Sequence, residues 1–210
     1  MPTVNEMMLG KNFMSIWLLT AAALLMGCET DPGLQVTVHT SRGDIVVAVD
    51  TVAAPITSAN FLRYVADRHY DGGQFFRVVR MDNQPNNEIK IEVIQGSANQ
   101  EGNASFYNPI PLERTSVTGL HHTDGAISMA RGGPDSGGPD SATHSFFFTI
   151  GDQPSLDFGG MRNEDGQGFA AFGYVLSGME VILSIQAGKT GDERIQNLVE
   201  PVAIDSVRVN

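Results

Sequence analysis

Phe75-Phe76-Arg77-Val78-Val79 is followed, sixteen residues after Val79, by Gln95-Gly96, and the two segments predict a pair of strands. Side chains alternate along a strand, so Phe75, Arg77 and Val79 are predicted to share one face. The same reasoning predicts a second face formed by Ile89, Ile91, Val93 and Gln95. An unpaired guanidinium on an apolar face costs several kcal/mol. Arg77 is therefore either a functional group or a partly exposed residue at the rim of a barrel.

The composition is that of one globular domain without nucleic-acid partners. The chain has 210 residues, of which 41% are hydrophobic, enough for one domain with a sizeable core. Lys and Arg number 13 against 24 Asp and Glu, a net charge of -11. Such a surface repels nucleic acid and anionic lipid head groups.

The N-terminus predicts export and lipidation. Residues 16–26 form an uncharged apolar run of 11 residues, preceded by Lys11. This run is too short to span a bilayer but suits a signal peptide. It ends at Gly27-Cys28, which resembles the cleavage site of a bacterial lipoprotein, where the cysteine is acylated. A plain secretory signal with an incidental cysteine is the alternative.

The lipoprotein interpretation fixes a domain organisation and a location. Residues 1–27 are the signal peptide, residues 28–33 the lipidated N-terminus and a short tether, and residues 34–210 the folded domain. Because Glu29 follows Cys28, resemblance to enterobacterial sorting rules favours the outer membrane. We therefore expect a lipid-anchored periplasmic protein in the envelope of a Gram-negative bacterium.

Many short strands and two helices are predicted along the domain. Helices are expected from Pro55 to about Arg68, because proline is favoured in a first turn, and over residues 179–186. Strands are expected at 34–40, 45–50, 75–79, up to Gln95, and at 125–130, 145–150, 169–175 and 202–209. This pattern is typical of a closed or nearly closed β-barrel capped by helices, with its first and last strands paired. Residues 101–124 are expected to be irregular.

Several motifs, in order over residues 34–209, resemble those of the cyclophilin-type peptidyl-prolyl isomerases. They include Phe75-Phe76-Arg77-Val78-Val79, Ile94-Gln95-Gly96, Asp140-Ser141-Ala142-Thr143, Leu156-Asp157 and Phe172-Gly173. The resemblance implies a mostly β fold, a closed eight-stranded antiparallel barrel capped by two α-helices. It also implies isomerisation of X-Pro bonds in proline-containing polypeptides. We expect a monomer that uses neither metal nor cofactor.

The resemblance also implies a set of site residues. Arg77 falls on the catalytic arginine that contacts the prolyl substrate. The substrate-binding positions fall on Gln95, Val93, Met129, Ala130, Arg131, Phe147, Leu156 and Phe169. Among these, Phe147 is the floor of the proline pocket, and the strand that pairs with the substrate backbone is Met129 to Arg131. Phe147 could equally be a core residue.

Three departures from the family pattern leave a second function open. Glu92, Ser145 and Ser155 stand where the family has an aromatic residue, a glutamine, and a tryptophan or phenylalanine. The loop over residues 80–88 is also longer than usual. These features favour the alternative of a catalytically weakened module that binds proline-containing peptides, or an envelope chaperone.

A serine protease is the remaining alternative. The segment from Pro134 to Pro139, with Ser136, resembles a protease nucleophile, and His121 and His122 lie upstream. A protease needs serine, histidine and acid brought together beside an oxyanion hole. The segment arises, however, from a duplicated GGPDS, and the two histidines lack partners at the spacing of a zinc site.

Overall fold

The computed structural model describes residues 33–99, 106–192 and 195–210. The predicted signal peptide, Cys28 and the tether up to residue 32 lie outside these ranges. So do residues 100–105 of the segment before β5.

Eight strands, three α-helices and two short 3-10 helices make up the regular structure of the described residues. The strands and α-helices are β1 (Leu34–Thr40), β2 (Gly43–Val49), α1 (Pro55–Ala66), β3 (Gly73–Val79), β4 (Val93–Ser97), α2 (Thr115–Thr118), β5 (Ala126–Met129), β6 (Phe146–Thr149), β7 (Ala170–Ser177), α3 (Met179–Gln186) and β8 (Asn197–Val209). The strands close a barrel in the order β1-β2-β7-β5-β6-β4-β3-β8. All neighbouring strands are antiparallel. The predicted fold is confirmed, including the pairing of β1 with β8.

Alternating side chains on the central strands separate an interior core from a second, outer cluster. On β6, Phe146 and Phe148 are fully buried in the main core, whereas Phe147 belongs to the outer cluster. Gly96 on β4 is needed beside this core, because a Cβ atom there would lie 3.0 Å from the ring of Phe75. The core ring of Phe61 lies 5.7 Å from that of Phe146. This helical residue and the strands therefore share one packed interior.

The two longer helices pack on different strands of the barrel. Helix α1 contacts β7 and β8, whereas α3 contacts β2, β3 and β4. Pro55 opens α1, where a missing N–H costs little. Its next two amides, of Ile56 and Thr57, donate to the Glu113 carboxylate at 3.0 and 2.7 Å. Glu113 therefore caps α1 from a distant part of the chain. Within the described residues, no helix combines the length and apolar character needed to cross a bilayer.

The expectation that Phe75 shares a face with Arg77 and Val79 is wrong. Phe75 and Arg77 pair with the consecutive residues Gly96 and Gln95 of β4, so Phe76 is an extra residue in the ladder. This β-bulge reverses the alternation. Phe75 consequently points into the core, while Val79 joins the outer cluster.

Three other boundaries differ from expectation. Strand β4 begins at Val93, so Ile89 lies before it and is 37% exposed. Strand β8 begins at Asn197 rather than 202; Pro201 lies inside it, and proline normally argues against a strand interior. The segment expected to be irregular contains the single-turn helix α2.

Candidate active site

The outer cluster forms the floor of a cavity of about 330 Å³. Its buried members are Val79, Ile91, Val93, Phe147 and Leu156, with Ala130 and Phe169 packed against them. The rings of Phe147 and Phe169 meet edge to face at 5.5 Å between centroids. These side chains offer a small apolar surface that suits a saturated ring.

Arg77 lies at the polar side of this cavity and is held by two neutral amides. Its Nη1 donates to Gln95 Oε1 at 2.8 Å. Its Nε and Nη2 both donate to Gln196 Oε1, at 3.0 and 2.5 Å. A guanidinium carries five N–H donors, so the described bonds leave one hydrogen on each Nη for another acceptor. Burial, with a smaller contribution from Arg162, lowers the pKa of Arg77 to about 10, so it remains charged at neutral pH.

Eight of the nine predicted side chains line the cavity together. They are Arg77, Val93, Gln95, Ala130, Arg131, Phe147, Leu156 and Phe169. Met129 does not: it is 1% exposed and packs in the interior core. Strand β5 is also paired on both sides, Met129 with Phe146 and with Ala170. Met129 thus has neither a side chain in the cavity nor a free strand edge, which leaves Ala130 and Arg131 for contact with a bound peptide.

The charge of Arg131 is already neutralised. Its side chain is fully buried and makes a bidentate ion pair with Asp165, at 2.8 and 2.9 Å. Its Nε donates to Gly168 O at 2.7 Å. Arg131 therefore stabilises the segment between Leu156 and β7, whereas Arg77 has only neutral partners beside the apolar floor.

Sequence analysis missed the buried amides that hold the long loop before β4. Gln84 is 1% exposed and donates through Nε2 to Arg80 O and Ile91 O. Asn83 donates through Nδ2 to Val78 O at 3.0 Å. Gln196 reaches the same loop by donating to Asn83 O at 3.2 Å. Polar residues in a loop are usually solvated, so composition gave no sign of this internal network.

A second missed network lies behind Phe147. His122 is buried, and its Nδ1 lies 2.6 Å from Asp157 Oδ1 while its Nε2 lies 3.0 Å from Ser128 Oγ. Burial lowers the pKa of His122, more than the neighbouring Asp157 raises it. The neutral imidazole then donates from Nδ1 to the carboxylate and accepts at Nε2 from the serine hydroxyl. Burial raises the pKa of Asp157, but hydrogen bonds from His122 and His121 outweigh it and the pKa is lowered.

The residues proposed for a protease do not form that site. Ser136 Oγ donates to Gly133 O, whereas His121 and His122 both bond to Asp157. The serine that does meet His122 is Ser128, which is fully buried. A serine without solvent access cannot attack a peptide. Across the described parts of the chain, no cluster of three or more His, Cys, Asp or Glu is arranged to hold a metal ion.

Comparisons with known proteins agree with this geometry. Residues 35–209 match the family model described as cyclophilin type peptidyl-prolyl cis-trans isomerase/CLD. The chain is 33% identical to peptidyl-prolyl cis-trans isomerase cyp18 of Streptomyces antibioticus, over 83% of this chain and 97% of that protein. It is also 33% identical to peptidyl-prolyl cis-trans isomerase B of Escherichia coli strain K12, over 83% and 99%.

A solved structure shares the barrel. A cyclophilin type peptidyl-prolyl cis-trans isomerase of Cryptosporidium parvum superposes with a TM-score of 0.65 at 18% identity, covering 84% of this chain and 97% of that one. Its structure in the presence of the dipeptide Ala-Pro gives a TM-score of 0.64.

Proposed function

The chain belongs to the cyclophilin-type peptidyl-prolyl cis-trans isomerases, and from this premise we propose that it assists the folding of exported proteins in the cell envelope. It is an isomerase of X-Pro bonds, as the names of its relatives state for them. The observation that carries the proposed site is the position of Arg77, with two N–H groups free among the described bonds, beside the floor formed around Phe147.

The reaction requires binding of the proline and electrostatic stabilisation of the rotating peptide bond, and no covalent bond is made or broken. Amide resonance sets a rotational barrier of about 18–20 kcal/mol, and uncatalysed X-Pro exchange takes tens to hundreds of seconds. Rotation transfers no electron or group, so the proposed step needs no cofactor. It needs the proline ring held still, and it needs stabilisation of the charge that changes as resonance is lost.

Arg77 and the apolar floor divide these two tasks. The proline ring rests on Phe147, Leu156 and Phe169, which exclude water from one side of the bond. We assign the two remaining Nη hydrogens of Arg77 to the carbonyl oxygen and the prolyl nitrogen, whose lone pair localises in the transition state. Gln95 and Gln196 hold the guanidinium in position before substrate binds, so no reorganisation is required during rotation.

The envelope location rests on the sequence before the domain. The apolar run at 16–26 and Gly27-Cys28 support cleavage and acylation of Cys28. Several acyl chains give stable anchoring where one does not. Glu29 supports the outer membrane, with the domain in the periplasm and proline-containing exported polypeptides as its partners.

Fractionation of the producing bacterium tests the location. The wild-type chain should pellet with outer membranes and incorporate labelled fatty acid, whereas Cys28→Ala should do neither. Fatty acid on the Cys28→Ala protein, or an unlabelled wild-type chain, would refute lipidation at this residue. The activity is tested separately, by turnover of an Ala-Pro peptide and by acceleration of a proline-limited refolding reaction.

A peptide-binding module with weakened catalysis is the second candidate. Glu92, Ser145 and Ser155 depart from the family pattern, and Ser155 does not line the cavity. The two candidates differ in one measurement made on the full chain in detergent. An isomerase accelerates Ala-Pro exchange at catalytic concentrations, whereas a binding module holds the peptide and leaves the exchange rate unchanged.

A further inference from the structure

We propose that the cavity selects X-Pro segments with an acidic side chain directly next to the proline, and that Arg162 recognises this carboxylate. The inference rests on the proposed site and adds a substrate preference to it. Arg162 has no counterpart among the residues predicted from the motifs. It is one of the residues that line the cavity.

Arg162 reaches across the mouth of the cavity from one loop to another. It lies between the 3-10 turn Pro154–Leu156 and β7. Its backbone amide donates to Ser155 O at 3.1 Å, which ties the backbone to that turn. Its Nη1 donates to Ile89 O at 2.6 Å, on the loop that leads into β4. The side chain is therefore directed over the cavity rather than away from it.

The two uncompensated cations of the cavity are Arg77 and Arg162. Arg131 also lines it, but its charge is matched by the bidentate contact with Asp165. Among the described residues, Arg77 and Arg162 bond only to neutral acceptors. The described lining contains no carboxylate. The two guanidiniums also lie close enough that the charge of Arg162 contributes to the lowered pKa of Arg77.

This local positive field contrasts with the net charge of -11. Charges more than about 8–10 Å away are largely screened at physiological ionic strength. Half-buried charges a few ångströms from a ligand are screened much less. A carboxylate that enters the cavity therefore meets the nearby guanidiniums more strongly than the distant acidic surface. It also relieves the repulsion between Arg77 and Arg162.

The geometry places the carboxylate beside the proline. Arg77 and the apolar floor fix the X-Pro bond, and an extended chain advances about 3.3 Å per residue. Arg162 lines the same cavity of about 330 Å³, so the side chain of a directly flanking residue is the one within reach. A planar guanidinium also matches a carboxylate in a bidentate manner, which favours glutamate or aspartate over their amides.

Matched peptides test the proposal on the full chain in detergent. We compare Ala-Glu-Pro-Phe with Ala-Gln-Pro-Phe, and Ala-Ala-Pro-Glu with Ala-Ala-Pro-Gln, each blocked at both ends. For at least one pair, the wild type should favour the acidic peptide about fivefold in affinity and in kcat/KM at low salt, as expected for one partly buried ion pair. The preference should decline as salt is added.

Variants assign the preference to Arg162. Arg162→Gln should bring the ratio of acidic to amide peptide, in affinity and in kcat/KM, close to one whatever its absolute turnover, and Arg162→Lys should keep most of the preference. Lys90→Gln is the matched control, because Lys90 is an exposed cation on the neighbouring loop, bonded to Met81 O and absent from the cavity lining. It should leave the preference unchanged.

Equal affinity of the wild type for acidic and amide peptides would overturn the proposal, as would a preference that survives Arg162→Gln. Affinity is measured by calorimetry, so it is independent of turnover. A chain that binds acidic peptides selectively but isomerises none would refute the proposed catalysis and retain this inference. A chain that binds and turns over all four peptides equally would refute this inference and retain the proposed catalysis.

Discussion

Replacing Arg77 with alanine should lower kcat/KM for an Ala-Pro peptide by about two to four orders of magnitude. Two guanidinium hydrogens remain free in the described structure. Each charged hydrogen bond contributes about 1.5–3 kcal/mol. One order of magnitude in rate corresponds to about 1.4 kcal/mol. The range follows if both bonds form mainly in the transition state.

The variant should remain folded, because Gln95 lines the cavity and Gln196 is only partly buried, so water can replace the lost guanidinium. The assay is the exchange rate of the peptide at several enzyme concentrations, with thermal unfolding measured on the same samples. Arg77→Lys should lose most of the activity as well, since an ammonium lacks the planar fork. Arg208→Ala is the control: this arginine pairs with Asp71 at 2.7 Å and is not part of the cavity lining. A folded Arg77→Ala protein within threefold of wild-type kcat/KM would refute the assignment.

Three further predictions concern residues outside the apolar floor. Gln196→Leu should reduce kcat/KM about tenfold with little change in KM, because a loss of about 1.4 kcal/mol in positioning the guanidinium acts on the transition state; an unchanged rate would show that Gln95 suffices. In the unfolded state, His122 and His144 take up protons as the pH falls below about 6.5. In the folded state they do so only at lower pH, because burial lowers their pKa values. The free energy of unfolding should therefore decrease as pH falls from 7. His122→Gln should reduce this slope, and an unaltered slope would contradict the lowered pKa. Glu113→Ala should lower the free energy of unfolding by about 1–2 kcal/mol in denaturant titrations, because it uncaps α1. The control is Glu180→Ala, at an exposed position in the first turn of α3, which should cost much less. Equal losses in the two variants would refute the cap.

The strands were predictable for two reasons: β1 alternates, whereas β5 and β6 are short apolar runs buried on both faces. Strand β1 was predicted with its observed limits, and the segments of β5 and β6 to within one residue at each end. The faces of β3 were not predictable. A bulge is set by how two strands pair, and the sequence around Phe76 is as apolar as an unbroken strand. The expected face was therefore correct for Arg77 and Val79 and reversed for Phe75.

The site residues likewise include some that the sequence predicts and some that it does not. Arg77, Gln95 and Phe147 are brought together because each lies on a strand whose motif is recognisable. Arg162 lines the same cavity and Gln196 bonds to Arg77, both from irregular segments, where no periodicity indicates the direction of a side chain. The motif at Met129 identified the strand but not which of its faces is turned inward, and the Met129 side chain lies in the interior core.

The barrel wall has a consequence for how such an enzyme can change over generations. Phe146 and Phe148 belong to the interior cluster and Phe147 to the outer one, and the buried members of the two clusters do not overlap. Substitutions on the outer face that conserve side-chain volume can alter which peptides are accepted and leave the interior packing in place. Those that empty the outer cluster also cost stability, because Phe147 is only 5% exposed and a vacated aromatic site costs about 3–5 kcal/mol. Inherited variation in substrate choice is therefore expected mainly as swaps of similar volume on the outward-facing residues of the strand.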